Sequence, residues 1–394
     1  MYNRNVLIVI IALIFSCNGK EIENDSKSQK TYLSHKIDEL TIDLNDSLMN
    51  DYPYSSRMVS AEGELFYIGF NPPYHKLDIF NLDKMTFEFD IQLETDGPNG
   101  VMDPWDFYVV NFDSIYFLGK DSRLSLINRQ GEISQDYNLN QMGAKGRESN
   151  TMGFKANPIM AKLHFDSDNN QIFFGAYSWK YSPTDLKYYD EPFLSFLDLN
   201  TNEIELINLE YPEIYKAENK NFGEAFDPNI VVLKDRIIYS FPIISDLFVY
   251  DRKTKESKHY PVSSDMSTRD LFTLSKEEYR DIKNRLIARV ENPYFYQVKV
   301  DEKNELYYRI YTSGIQYDSN DENFESLADK PVSIQILDAD FKLIKEIQLD
   351  QNIYNALSSF ITPNGDLLVP KSNSLNQGLR EDQLAFERFV FKFE

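Results

Sequence analysis

Residues Ala61 to Gly100 read AEGELFYIGFNPPYHKLDIFNLDKMTFEFDIQLETDGPNG, and the order of runs and turns in this stretch decides the fold. Three apolar and aromatic runs, Leu65 to Phe70, Leu77 to Leu82 and Phe87 to Leu93, are separated by turn formers, and a fourth run precedes them at Arg57 to Ser60. Short runs rich in Phe, Tyr, Ile and Leu, bounded by Gly, Pro, Asn and Asp, read as strands. A tight AEGE turn, the longer loop NPPYHK and a second tight turn at Lys84 to Met85 join them. The alternation of short, long and short connections suits a four-stranded antiparallel sheet of the up-and-down kind.

The pattern then returns along the chain. Its first hairpin reappears as FYVVNFDSIYFLG, AKLHFDSDNNQIFFGAY, IVVLKDRIIYSF, YQVKVDEKNELYYRIY and SSFITPNGDLLVP. The third strand and its turn recur as RLSLINRQGEI, FLSFLDLNTNEI, LFVYDRKTKES and VSIQILDADFKLI. Spacing of about 50 to 70 residues, from Leu65 to Ile115, Ile172, Ile237, Leu306 and Leu367, marks a repeat architecture of six modules. The last module ends at AFERFVFKF and lacks a fourth strand, while the alternating segment Lys36 to Leu44, KIDELTIDL, has no neighbour in sequence to pair with. Placing the second against the first gives an all-β fold, a six-bladed β-propeller closed by the N-terminal strand in the C-terminal blade. Radial closure removes open sheet edges, and a core divided between blades lets 394 residues remain one domain. Tyr and Phe at alternating strand positions are read as packing between blades. One segment, Ser275 to Val290, carries Ser275 and Glu278 at capping-box spacing, with Tyr279, Ile282, Leu286 and Val290 on one face, and predicts a single accessory helix.

The ends and the charge bound the setting. The N-terminus, MYNRNVLIVIIALIFSC, has an apolar core from Val6 to Phe15, too short for a comfortable membrane span and suited to a signal peptide. Cys17, the single cysteine, excludes a disulfide framework. It stands where a bacterial lipoprotein carries its acylated residue. The expected layout is 1–17 as signal peptide with acylated Cys17, 18–35 as a flexible polar tether reaching on the order of 25 Å, and 36–394 as the propeller. Glu21, Glu23 and Asp25 beside Lys20 are similar to a signal for surface display, so the expected address is the cell envelope, at the outer membrane and facing outward or inward. A formal charge of −22 repels phosphate backbones, which excludes nucleic acid as the expected partner.

In an up-and-down blade, the second-to-third connection and the connection to the next blade emerge on one side of the ring. The long connections lie there: Tyr177 to Pro192, Ser313 to Lys330 and Lys371 to Gln383, with Asp96 to Trp105, Asn140 to Pro158 and Pro261 to Asn292 between blades. Long loops on a rigid scaffold commonly carry function. The candidate ligand-binding residues are Asp103, Trp105 and Asp106, which follow the constrained turn DGPNG toward the central channel, and Trp179, Tyr181 and Tyr188 in the third module's loop. GAKGRES, Gly143 to Ser149, lacks the spacing of a phosphate loop. Asp318, Asn320, Glu322 and Glu325 lack the turn glycine of a calcium loop, and His35, His75, His164 and His259 are scattered, so no metal and no cofactor is expected. No nucleophile elbow is present.

Cys17 in its lipobox, the opening strand Lys36 to Leu44, DGPNGV at Asp96 to Val101, and ENPYFYQVKVDEKNELYYRIY at Glu291 to Tyr311 together resemble the Bacteroidota lipoproteins of domain-of-unknown-function family 4221, related to TolB-like propellers. The resemblance implies an exported, lipid-anchored, six-bladed propeller and brings no catalytic residue. Two functions stay open. One is a binding or scaffold protein that engages a polypeptide or glycan through its loop-rich face. The other is a hydrolase or lyase using acidic residues such as Asp103 and Asp106 at the channel mouth.

Overall fold

A computed structural model describes residues 32–148, 151–157, 160–264, 270–321, 324, 326–355 and 357–393. The expected signal peptide, Cys17 and most of the expected tether lie outside them. Six small antiparallel sheets form the ring, and the first is the stretch that opened the sequence: Ser55–Val59, Leu65–Asn71, Lys76–Asn81 and Thr86–Gln92, paired in chain order. Blade two (Pro104–Asn111 to Ile133–Asn138) and blade four (Asn229–Val232 to Ser257–Tyr260) repeat that order.

Blade six closes the ring as expected. Its inner strands Phe360–Ile361 and Leu367–Pro370 are followed by Gln383–Phe393, against which the N-terminal strand Tyr32–Asp43 lies antiparallel. The pairing runs from Tyr32 opposite Phe393 to Asp43 opposite Gln383, so this strand begins four residues before the position read from the alternation. A bidentate ion pair, Arg388 Nε and Nη2 on Asp38 at 2.8 Å each, pins the two ends.

The turns explain why the sheets form where they do. The residue that ends or follows the third strand of blades one to five is Asn81, Asn128, Asp198, Asp251 or Asp338. In each, the side-chain oxygen accepts the backbone N–H two residues on, at 2.8 to 3.0 Å. Such a side chain substitutes for a backbone partner and sets the reversal. The core then lies between blades. Phe70 meets Phe117 across blades one and two, Tyr116 meets Phe165 across two and three, Phe193 meets Tyr239 across three and four, and Tyr308 meets Phe391 across five and six. Tyr67 packs on Phe360 and Phe386 where the ring closes.

The accessory helix differs from its prediction. The Ser275 and Glu278 capping box forms reciprocally, Glu278 Oε2 accepting from Ser275 N at 2.7 Å and Ser275 Oγ from Glu278 N at 3.2 Å, but it starts only the single turn Glu278–Arg280. Asp281 then adopts extended backbone and caps a second start, its side chain accepting from Lys283 N, and the α-helix runs Ile282–Glu291. Ile282 is therefore exposed, and Ala288 and Val290 are the buried contacts. Gly223, at φ +66°, lets the chain pass the helix where a Cβ would sit 2.7 Å from the Arg285 carbonyl oxygen. Two further single-turn helices, Leu139–Met142 and Ser326–Asp329, are present among the described residues.

Candidate functional site

The inner strands of blades three and five are interrupted, and the interruptions shape the centre of the ring. In blade three, Met152–Lys155 and His164–Asp166 both pair with Gln171–Ser178, and the chain between them leaves the sheet. That excursion bridges to blade four through Ala161 and Ile230, with Ile230 N donating to the Met160 carbonyl at 2.7 Å. In blade five, Tyr294–Phe295 and Lys299–Asp301 flank Gln297, whose amide donates to the Ile230 carbonyl. Met160, Ile230 and Gln297 thus plug the axis. Met160 contributes to a basin on the loop face, and Lys162 and Gln297 to a chamber on the other side.

The loop-face basin has two lobes, of about 570 and 330 Å³, that share Arg289, Tyr294 and Tyr296. The capped helix supplies Arg289 and Arg285, inner strand five supplies the tyrosines, and the connections between blades supply Asp227 and Asp51. Arg289 lies over the Tyr294 ring at 5.6 Å, and Arg285 over Tyr279 at 5.3 Å, which holds both guanidinium groups against aromatic walls. Arg285 also reaches Glu224 at 3.8 Å, and Lys155 holds Asp227 at 2.6 Å. Lys330 donates to the Arg289 and Asn292 carbonyls at 2.7 Å each, closing the helix C-terminus; burial, reinforced by the nearby Arg289 charge, pushes its amine down to about 7. Tyr294 and Tyr296 are themselves buried, so the groups the basin leaves partly open are the half-buried Arg285 and Arg289, held against aromatic rings.

The residues singled out in the sequence do not come together as one site. Asp103 faces outward between His75 at 3.6 Å and Lys120 at 3.5 Å. Asp106 is buried in inner strand two, where it accepts from Leu163 N at 2.8 Å, and burial raises its carboxyl to about 6. The two carboxylates serve different partners, and no acid pair is built at a channel mouth. Trp105 packs against the core between blades two and three. The DGPNG turn ties its own loop: Val101 N donates to the Glu94 carbonyl, and Asn99 Oδ1 accepts from Ile133 N. Trp179 is exposed beside Tyr177, Tyr181 sits against Lys180 and Lys187, and Tyr188 is buried among Tyr189, Tyr211 and Phe226. Tyr188 is therefore core. Among the described residues no group of three His, Cys, Asp or Glu is placed to hold a metal; Glu322 and Glu325 lie outside them.

Arg289 falls within the predicted helix and Tyr296 opens a predicted strand, and the basin they form with Tyr294 depends on a fold that brings residue 51 beside residue 355. The available signal was the density of tyrosine in NPYFYQ immediately after a capped helix.

A six-bladed propeller with a plugged axis and a decorated face defines the class of fold. Within that class the chain belongs to the domain of unknown function family DUF4221, whose profile matches residues 30–348. A DUF4221 member from Bacteroides vulgatus has the same fold, at 22% identity and TM-score 0.79 over 93% of this chain and 100% of that one. A Bacteroides fragilis protein described as a candidate exported protein is similar at 11% identity and TM-score 0.52, over 92% of this chain and 95% of its own. No curated protein matches the chain.

Proposed function

We propose that this protein is exported, held to the envelope by a lipid on Cys17, and binds a polypeptide or glycan through its loop face. The observation that carries the reading is the two-lobed basin sharing Arg289, Tyr294 and Tyr296, because stacked Arg and Tyr concentrate contact energy at low ordering cost. Exposed Trp179 extends the same face. Among the described residues no helix is long and apolar enough to cross a membrane, which agrees with attachment by an N-terminal lipid.

The register of the closing strand adds an orientation. Gln383 follows the second-to-third connection and so stands at the loop face, which puts Phe393, and Tyr32 opposite it, at the other face. A tether ending at Tyr32 leaves from the side away from the basin and presents the loops outward.

Crosslinking in intact cells tests the binding. Arg289→Ala combined with Tyr296→Ala should abolish partner recovery while the purified variant keeps its β-sheet circular dichroism; undiminished recovery would overturn the reading. Cys17→Ala should release the protein from the membrane fraction.

A further inference from the structure

Below the plug, a chamber of about 770 Å³ is walled by the inner strands of all six blades and opens among the first-to-second turns, at Glu302, Lys303, Thr362 and Pro363. Arg57 from blade one and Lys162 from blade three line it. Lys299 from blade five is buried behind Gln297, donating to its Oε1 at 3.4 Å. Lys162 donates to the Ser55 carbonyl at 2.9 Å. Arg57 is exposed and lies 5.5 Å over the Phe360 ring.

These three cations have no counter-charge in contact. Among the described residues no carboxylate stands within 4.0 Å of any of them. Asp106 is felt by Lys162 only at longer range. Asp301, at the wall, already accepts from Asn304 and Tyr308. Burial and the mutual repulsion of Arg57, Lys162 and Lys299 hold the amines below their usual pKa, Lys299 well below. Like charges drawn from three separate blades, two at the chamber wall and Lys299 buried behind it, are destabilising unless something negative joins them. The outer surface works the other way, since a net −22 repels anions in general and makes a cationic interior selective.

We propose that this chamber is an oxyanion site, in which Arg57 and Lys162 take a phosphate, sulfate or carboxylate group, either as the free ion or carried on a sugar-sized ring, with Lys299 adding positive charge from behind Gln297. The volume falls in the range of small-molecule sites, roughly 300 to 1,000 Å³. Tyr108, partly exposed, gives the chamber an aromatic wall, and the Arg57 guanidinium and the Lys162 amine supply charge-assisted donors for the acid group. The site is independent of the loop face and lies on the opposite side of the plug.

Isothermal titration calorimetry of the purified protein at fixed ionic strength, with inorganic phosphate, inorganic sulfate, glucuronate and neutral glucose as probes, tests it. At least one anion should bind and glucose should not. Binding of the inorganic ions identifies the free oxyanion as sufficient, and binding of glucuronate alone identifies an acidic sugar. Lys162→Met and Lys299→Met should each weaken that binding by about tenfold or more. Each should also leave the Tm of the ligand-free protein unchanged or raised, because a repelled buried charge has been removed. Arg57→Gln, which loses no hydrogen bond to protein, repeats the test without touching the plug. Absence of binding for every anion up to about 10 mM, affinities that all three variants leave intact, or a lowered Tm in both lysine variants would overturn the proposal.

Discussion

His164 and Asp106 occupy neighbouring inner strands near the axis, and the same cause moves them in opposite senses. Burial holds the His164 imidazole down at about 4, against an ordinary 6.5, so the unfolded chain takes up a proton in that window that the folded chain refuses. Stability contributed by neutral His164 is therefore lost as pH falls. Burial raises Asp106 to about 6, against 3.8, so the folded chain keeps a proton that the unfolded chain releases, and its contribution grows as pH falls. The two slopes oppose each other between about pH 4 and 6. Relative to the parent, His164→Phe, which keeps ring contacts with Tyr108 and Phe173, should gain stability on acidification through this window, and Asp106→Asn should lose it, each on the order of 1 kcal/mol. Urea midpoints across pH check both signs. Neither role is readable from the sequence, where His164 is one of four scattered histidines and Asp106 sits in a string that advertises a turn. A cation inside an apolar inner strand, as in SSRMV and YQVKV, was legible residue by residue; that these cations converge was not.

At the level of elements, local chemistry was the readable part. The Asn and Asp residues that close the third strands were visible as turn signals, and their side chains act as expected. Asp198→Ala removes the acceptor for Asn200 N at 2.8 Å and Thr201 N at 3.2 Å and should cost about 1 kcal/mol in chemical denaturation, with the fold retained. The helix shows where local reading stops. A capping box specifies where a helix can begin, but a second cap at Asp281 two residues after Tyr279 restarts it, and the face presented to the ring shifts with the start. The breaks in inner strands three and five leave no local mark in the sequence for a related reason. Each half still looks like strand, and only a neighbouring blade's free backbone groups, such as Ile230 N, show why the chain departs.

Across the whole molecule, repetition made the architecture legible, because six imperfect copies of one pattern constrain the ring more than any copy constrains its own blade. The orphan strand at one end and the missing strand at the other formed a complementary pair of defects. Thr41 and Ala385 stand opposite each other in the resulting ladder and are both half-buried. Replacing both with cysteine, with Cys17→Ser to remove the native thiol, should give spontaneous crosslinking on oxidation, a mobility shift on nonreducing gels and a raised Tm. Failure to crosslink would contradict the observed register. The plugged axis, by contrast, arises from excursions that meet only after the ring has formed.

The ion pair between Asp38 and Arg388 joins positions 350 apart in the chain. A polypeptide produced from its amino end must therefore carry an unsatisfied strand until Gln383–Phe393 has been made, and five sheets can assemble before the sixth is complete. Termination anywhere before Gln383 thus leaves an open arc whose two raw borders invite pairing with other molecules.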